Sequence, residues 1–303
     1  MRAKLNRVSK ESEKTVEMKI EHLCKSYDNG KKKALDDFSI NLTPGIYALL
    51  GPNGAGKSTL MNILTDSIRA DKGMVYYNGE DILKLGSAYR EVLGYMPQQQ
   101  GLYEEFTAVR FMEYIAALKG MKKKVAKEEI KELLVRVGLE KEMHKKTGGF
   151  SGGMKQRLLI AQALLGNPSI LLMDEPTAGL DPNERIRLRN FISEIAADKI
   201  VIFATHVVSD IEFIAKEVLL LKEGKLIHKG TVEELNKKIE GRVFEAVVEP
   251  ENVEGLKRQY KVSNVYREKE QCIVRFITDK QLNMNQVTTV APHLEDLYLY
   301  VTS

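Results

Sequence analysis

Cysteine is scarce in this chain. Only Cys24 and Cys272 occur, far apart and in no C-x-x-C pair. That excludes a disulfide framework and a zinc site, and leaves both as small apolar fillers in a reducing compartment. Long apolar runs are missing as well. The longest are Ile46 to Leu50, Ile170 to Met173, Ile200 to Ala204 and Val218 to Leu221. A membrane-spanning helix needs about 20 apolar residues, so no span is expected. Met1 to Glu17 are polar and contain no apolar core of a secretory signal. The expectation is a cytosolic protein, or one held at a membrane by a partner. An excess of one charge is also lacking: 46 Lys and Arg face 42 Asp and Glu, a net +4. That balance argues against nucleic acid as a partner. Lys31-Lys32-Lys33 and Lys122-Lys123-Lys124 read as solvated runs. There is no internal repeat and no low-complexity segment.

What remains is an ordinary globular composition, 43% apolar and 29% charged over 303 residues. That length suits one large and one small domain. Residues 1–17 read as a disordered tail, and the natural start is either Met1 or Met18. Val16 to Leu23 alternates apolar and polar residues as a strand does, and Ala34 to Leu42 does so less cleanly. Ile46 to Leu50 suits a buried parallel strand. It runs straight into Gly51-Pro52-Asn53-Gly54-Ala55-Gly56-Lys57-Ser58-Thr59. Leu60, Met61, Ile63, Leu64 and Ile68 then recur at helical spacing. A glycine-rich G-x-x-x-x-G-K-[ST] loop between strand and helix is a phosphate cradle. Its N–H groups face the phosphates at a helix N-terminus, where Gly51, Gly54 and Gly56 permit close wrapping. Lys57 suits the β- and γ-phosphates, and the Ser58 hydroxyl suits Mg²⁺.

From about Gly101 to Gly149 helical spacing dominates, in Phe111, Ile115 and Leu118 and again in Ile130, Leu133, Leu134 and Val137. Ser151 is a candidate N-cap for a helix to Leu165. Buried strands resume at Ile170 to Met173 and Ile200 to Ala204, with a helix from about Asn183 to Ala197 between them. Alternation of this kind argues a largely parallel sheet. Val218 to Leu221 and Lys225 to Lys229 suggest a hairpin, and Thr231 caps one more helix. Beyond Gly241 the expected pieces are strands at Val243 to Val248 and Cys272 to Ile277. Helices are expected near Val253 to Tyr260 and Leu294 to Val301.

Asp174-Glu175 closes an apolar strand. Asp174 can hold Mg²⁺ there, and Glu175, pointing differently, can polarise a water attacking the γ-phosphate. Ser151-Gly152-Gly153 repeats the anion-binding device of hydroxyl, glycines and helix start. A chain that already has its own phosphate loop then suggests that a second molecule's nucleotide docks here.

Taken in order, the glycine loop, Ser151-Gly152-Gly153-Met154-Lys155-Gln156 and Ile170 to Pro176 resemble the nucleotide-binding subunit of an ABC transporter. The resemblance covers roughly Ile20 to Leu235. Phe150 and Met154 depart from the family's common Leu and Gln, while the Ser-Gly-Gly core is intact. The resemblance implies an α/β fold: a P-loop NTPase core over residues 18–240, an inserted helical subdomain at about 101–165, and a small C-terminal α+β domain at 241–303. It also implies site roles. Tyr27 would stack on adenine, and Gln98, chosen over Gln99 and Gln100, would touch Mg²⁺ and water. Asp181 would be the acidic residue of the dimer-crossing loop, and His206 the γ-phosphate switch. Ser151, Gly152 and Gly153 would face the ATP of a second subunit, reasonably a homodimer.

The same resemblance implies an ATPase with ATP and Mg²⁺ that powers a separate transmembrane permease subunit from the cytoplasmic face of the cell membrane. Leu102, Tyr103 and Phe106 are expected to touch that partner. Tyr95 to Gln98, Gly101 to Tyr103 and the tail His293 to Tyr298 look most like bacterial exporters of the bacitracin- and lantibiotic-resistance kind. The alternative is a regulatory ABC ATPase that moves no solute.

Overall fold

A computed structural model of the chain describes residues 16–28, 30–98, 101–280, 282 and 287–302. Most of the tail expected over 1–17, and the glutamines at 99 and 100, lie outside them. Alternating burial makes β1 (Met18–Tyr27) and β2 (Lys32–Leu42) a half-covered antiparallel pair, with Tyr27 opposite Lys32. β3 (Gly45–Leu50) is buried continuously from Ile46 onward, as a strand covered on both faces must be. The glycine loop follows, then α1 (Lys57–Leu64). Ile68, expected on this helix, lies beyond its end, because Asp66 takes a left-handed backbone at φ +58°.

Five short elements come next that hydrophobic pattern did not reveal: β4 (Lys72–Tyr77), β5 (Glu80–Asp81), α2 (Ile82–Leu85), α3 (Ser87–Glu91) and β6 (Leu93–Met96). The helical stretch then holds α4 (Ala108–Leu118), α5 (Lys123–Arg136) and α6 (Gly152–Leu164), which touch one another. Thr107 caps α4 through the Arg110 N–H, and Ser151 caps α6 through the Met154 N–H at 3.3 Å. Phe111 and Leu134, fully buried, knit this unit to the large core. Burial of such a side chain stabilises by about 1.5–3 kcal/mol.

The chain returns through β7 (Ile170–Asp174), α7 (Pro182–Ile195), β8 (Ile200–Thr205), β9 (Glu217–Lys222) and β10 (Lys225–Gly230). Thr231 and Glu234 form a reciprocal capping box on α8 (Val232–Lys237). The C-terminal part comprises β11 (Val243–Val248), α9 (Val253–Gln259), β12 (Lys261–Glu268), β13 (Gln271–Ile277), β14 (Val287–Thr289) and α10 (Leu294–Thr302). Strands β12 and β14 were not foreseen; β12 is largely exposed and shows no clean alternation.

The central sheet runs β10-β9-β3-β8-β7-β6, all parallel except β10. An antiparallel sheet β2-β1-β4-β5 and a C-terminal sheet β12-β13-β11-β14 accompany it. Alternation along the central strands feeds two cores. Ala48, Leu50, Met173 and Phe203 face the helical side, while Tyr47, Leu49, Leu172 and Ile202 face α1 and β1. Leu294 and Leu297 of α10 belong to the first of these cores. No helix among the described residues is long and apolar enough to cross a membrane.

Candidate active site

Strand register assembles the site. Leu50 of β3 lies beside Thr205 of β8, and Asp174 of β7 beside Ala204. Three neighbouring parallel strands therefore release the glycine loop, Glu175 and His206 at one edge. That carboxyl edge is where open α/β sheets hold ligands.

A cleft opens there. Asn53, Gly54, Ala55, Gly56, Lys57, Ser58 and Thr59 line its floor. Tyr27, Lys32 and Ala34 of β1 and β2 form one wall, and Gln98, Asp174 and Glu175 another. Gly51 and Pro52 stand behind the floor, where their carbonyls accept from Lys57 Nζ at 2.5 and 3.2 Å. Burial lowers the Lys57 pKa from its ordinary value, and the Glu175 and Asp174 carboxylates oppose that shift. The ammonium is thus held at the floor in reach of an anion. Gly56 has φ +109°, and a Cβ on it would strike the Ala34 carbonyl oxygen. Gly54 has φ +82° but open space around it. The two glycines serve differently: Gly56 lets the loop fit its own fold, and Gly54 leaves the cleft side clear.

Asp174 is buried, and no described residue donates a hydrogen bond to its carboxylate. Burial first, and the Glu175 charge next, raise its pKa above the ordinary carboxylate value, with Lys57 opposing. A desolvated, unbonded carboxylate beside the Ser58 hydroxyl in one cleft is a fitting oxygen pair for a hard divalent cation.

Glu175 is held more firmly than its neighbour. Its Oε1 meets His206 Nδ1 at 2.8 Å, and Oε2 accepts from Thr205 Oγ1 at 3.2 Å. Its backbone is left-handed at φ +51°, a strain of about 1–3 kcal/mol for a non-glycine residue. The Glu175 N–H donates to Ala204 O at 2.8 Å, and Gln156 Nε2 donates to Pro176 O at 2.7 Å and Glu175 O at 3.3 Å. These bonds fix the turn that aims the carboxylate into the cleft.

Ser151, Gly152, Gly153 and Asp181 do not line this cleft. Ser151 and Gly152 are exposed at the start of α6. Asp181 caps α7 by accepting from the Glu184 N–H at 2.9 Å. The two helix starts adjoin, since a Cβ on Gly153 would meet Glu184 and Leu180 within 3.6 Å.

Five residues gain a place that pattern reading missed. Lys32 is exposed, as its lysine run suggests, and strand pairing also sets it beside Tyr27 on the cleft wall. Gln156 and Thr205 brace Glu175. Thr177 Oγ1 donates to Asp210 Oδ2, joining the segment after Glu175 to the segment after His206. No motif announces these pairs; they exist only once β7 and β8 lie side by side.

The chain is similar to known proteins. A sequence model of the family described as ABC transporter matches residues 35–178. The uncharacterized ABC transporter ATP-binding protein YxlF of Bacillus subtilis (strain 168) is 35% identical over 298 residues, 94% of this chain and 99% of that one. The probable multidrug ABC transporter ATP-binding protein YbhF of Escherichia coli (strain K12) is 36% identical over 200 residues, 66% of this chain and 34% of that one. Among solved structures, the dimeric ATP-binding cassette MJ0796 in a post-hydrolysis state with ADP and Pi superposes with a TM-score of 0.64. It is 27% identical, over 71% of this chain and 98% of that one.

Proposed function

Since the chain belongs to the family of ABC transporter ATP-binding proteins and is an ATPase, we propose that its cleft turns over ATP with Mg²⁺ to drive a separate membrane permease. The observation that carries this reading is the Glu175–His206 contact at 2.8 Å, set at the same sheet edge as the glycine loop.

Each residue then has a task. N–H groups of Asn53 to Thr59, at the helix N-terminus, wrap the phosphates. Lys57 turns from the Gly51 and Pro52 carbonyls to the β- and γ-phosphates. Tyr27 stacks on the base, and Lys32 beside it adds a cation at the cleft wall. Ser58, Asp174 and Gln98 would hold Mg²⁺, which supplies charge neutralisation for the phosphates. Glu175 polarises the attacking water as general base, and His206 keeps that carboxylate aimed and reaches the γ-phosphate.

The starts of α6 and α7 are exposed and outside their own cleft. In a head-to-tail dimer, Ser151, Gly152 and Gly153 close over the partner's ATP, and Asp181 lies along the same seam. Likeness to a dimeric cassette supports this. ATP then acts as the ligand that favours the closed state.

A permease contact has a candidate surface. Tyr103, Phe106 and Tyr114 form an aromatic cluster with centroids 5.0 to 6.2 Å apart, and Arg110 lies 4.3 Å over Phe106. Tyr103 is 50% exposed, and Leu102 lies partly buried next to it. Exposed aromatics of this kind suit a partner helix. The permease would hold the chain at the cytoplasmic face of the membrane. The multidrug name carried by the relative YbhF supports an exporter of a drug, peptide antibiotic or other small amphiphile.

The test is capture from detergent-solubilised host membranes with tagged Glu175→Gln protein, ATP and Mg²⁺. Stoichiometric recovery of a polytopic membrane protein, lost on Tyr103→Glu, is the expected result. Recovery of soluble proteins alone overturns the permease reading.

A further inference from the structure

Helix α10 ties the third sheet to the segment that follows His206. At one side it is fastened by a buried ion network. Arg275 of β13 donates to the Asp296 carboxylate from Nη2 at 2.7 Å and from Nε at 3.1 Å, and to Glu245 from Nη1 at 3.1 Å. Ser263 Oγ donates to Asp296 at 2.6 Å, and the His293 N–H donates at 2.8 Å. Asp296 is 1% exposed, so removing Arg275 alone would strand a buried carboxylate. The network fixes where α10 stands on the sheet.

The other side of α10 enters the main core. Leu294 and Leu297 are buried there with Val208 and Ile211, and Tyr298 and Val301 pack against the same cluster. α10 touches the turn Val208–Asp210 directly. Its end is held by Lys222 of β9, whose Nζ donates to Val301 O at 2.7 Å.

The turn at 208–210 begins two residues after His206 and carries Asp210, the partner of Thr177. What fixes this turn therefore bears on two of the bonds that hold the Glu175 segment, His206 to Glu175 and Asp210 to Thr177. Burial raises the pKa of the Tyr298 phenol, and the Glu175 charge adds to that. The Tyr298 hydroxyl makes no hydrogen bond among the described residues.

We propose that Tyr298 is a positioning residue for ATP hydrolysis. Its ring wedges the His206 to Asp210 segment so that His206 keeps Glu175 aimed into the cleft. The Arg275–Asp296 network sets the helix that carries it. The third sheet is thereby a lever on turnover. This rests on the roles proposed above for Glu175 and His206.

The experiment compares Tyr298→Ala and Tyr298→Phe in the full chain by steady-state ATPase kinetics and by hydrogen exchange over residues 206–214. Tyr298→Ala is expected to lower kcat about tenfold with KM for ATP within about twofold. Exchange should quicken over 206–214 and stay unchanged over 51–59. Tyr298→Phe should restore both. In a His206→Ala background, Tyr298→Ala should add little, because both act through Glu175. Should the alanine variant misfold, Tyr298→Leu keeps apolar bulk without the ring and should show the same pattern more weakly. Wild-type kcat and exchange in Tyr298→Ala overturn the proposal. So does an equal fold-loss in both backgrounds, which marks general structural damage. Full turnover in Glu175→Gln and His206→Ala would instead sink the assigned roles, and this inference with them.

Discussion

Thr177 Oγ1 and Asp210 Oδ2 lie 2.5 Å apart, both residues buried, one just past the acid pair and the other just past His206. They latch together two loops that leave adjacent strands. Arg185 is the nearest cation to Asp210, at 4.0 Å. Thr177→Val would keep the shape and remove the donor, leaving a buried carboxylate short of a partner. The expected loss is about 1–3 kcal/mol. Urea unfolding measures it, and a smaller kcat should accompany it as the His206 segment loosens. Unchanged unfolding and unchanged turnover would show that the latch holds nothing.

Asp174 sets function against stability. Burial and the Glu175 charge raise its folded pKa above the unfolded value. The ionised form is therefore the costly one in the fold. That penalty is present above the folded pKa and disappears as pH falls through it. Asp174→Asn should melt a few degrees higher than wild type at pH 7 without nucleotide, and the gain should shrink toward pH 4. The same variant should lose Mg²⁺-dependent hydrolysis. Calorimetry across pH together with an ATPase assay checks both. A variant that melts lower at pH 7 would contradict the electrostatic reading.

Gly56 and Gly54 separate two reasons for glycine. Gly56→Ala meets both a left-handed backbone and the Ala34 carbonyl, so it should destabilise by about 3 kcal/mol or more. Gly54→Ala meets only the backbone term, about 1 kcal/mol. Denaturant midpoints of the two variants give the comparison. Equal losses would mean that the loop can shift away from Ala34.

The parts of this architecture that could be read from sequence are local ones. Ile46 to Leu50 is a continuous apolar run against a glycine loop, so strand, loop and α1 follow from adjacent residues. Ser151 is a hydroxyl before a helical pattern, and it caps α6. The Asp174-Glu175 pair ends a strand whose burial is plain from Ile170 onward. Elements that lack such signals stayed hidden. β4 buries Val75 fully and little else, and β6 contains Gly94, which is needed because a Cβ would strike the Ala163 carbonyl of α6. That requirement belongs to packing between distant segments. The bracing of Glu175 is of the same kind. Thr177, Thr205 and Asp210 carry no motif of their own, Gln156 closes the Ser151-Gly152-Gly153 string without announcing its reach to Glu175, and Lys32 resembles its lysine neighbours until β1 and β2 pair.

Phosphate release by wild type and Glu175→Gln, under saturating ATP and Mg²⁺, tests the catalytic assignment most directly. If Glu175 is the general base held by His206, the glutamine variant should turn over about 10²-fold or more slowly. It should still bind ATP and dimerise, because the glycine loop and the α6 start are untouched. Equal rates for the two proteins would contradict the account.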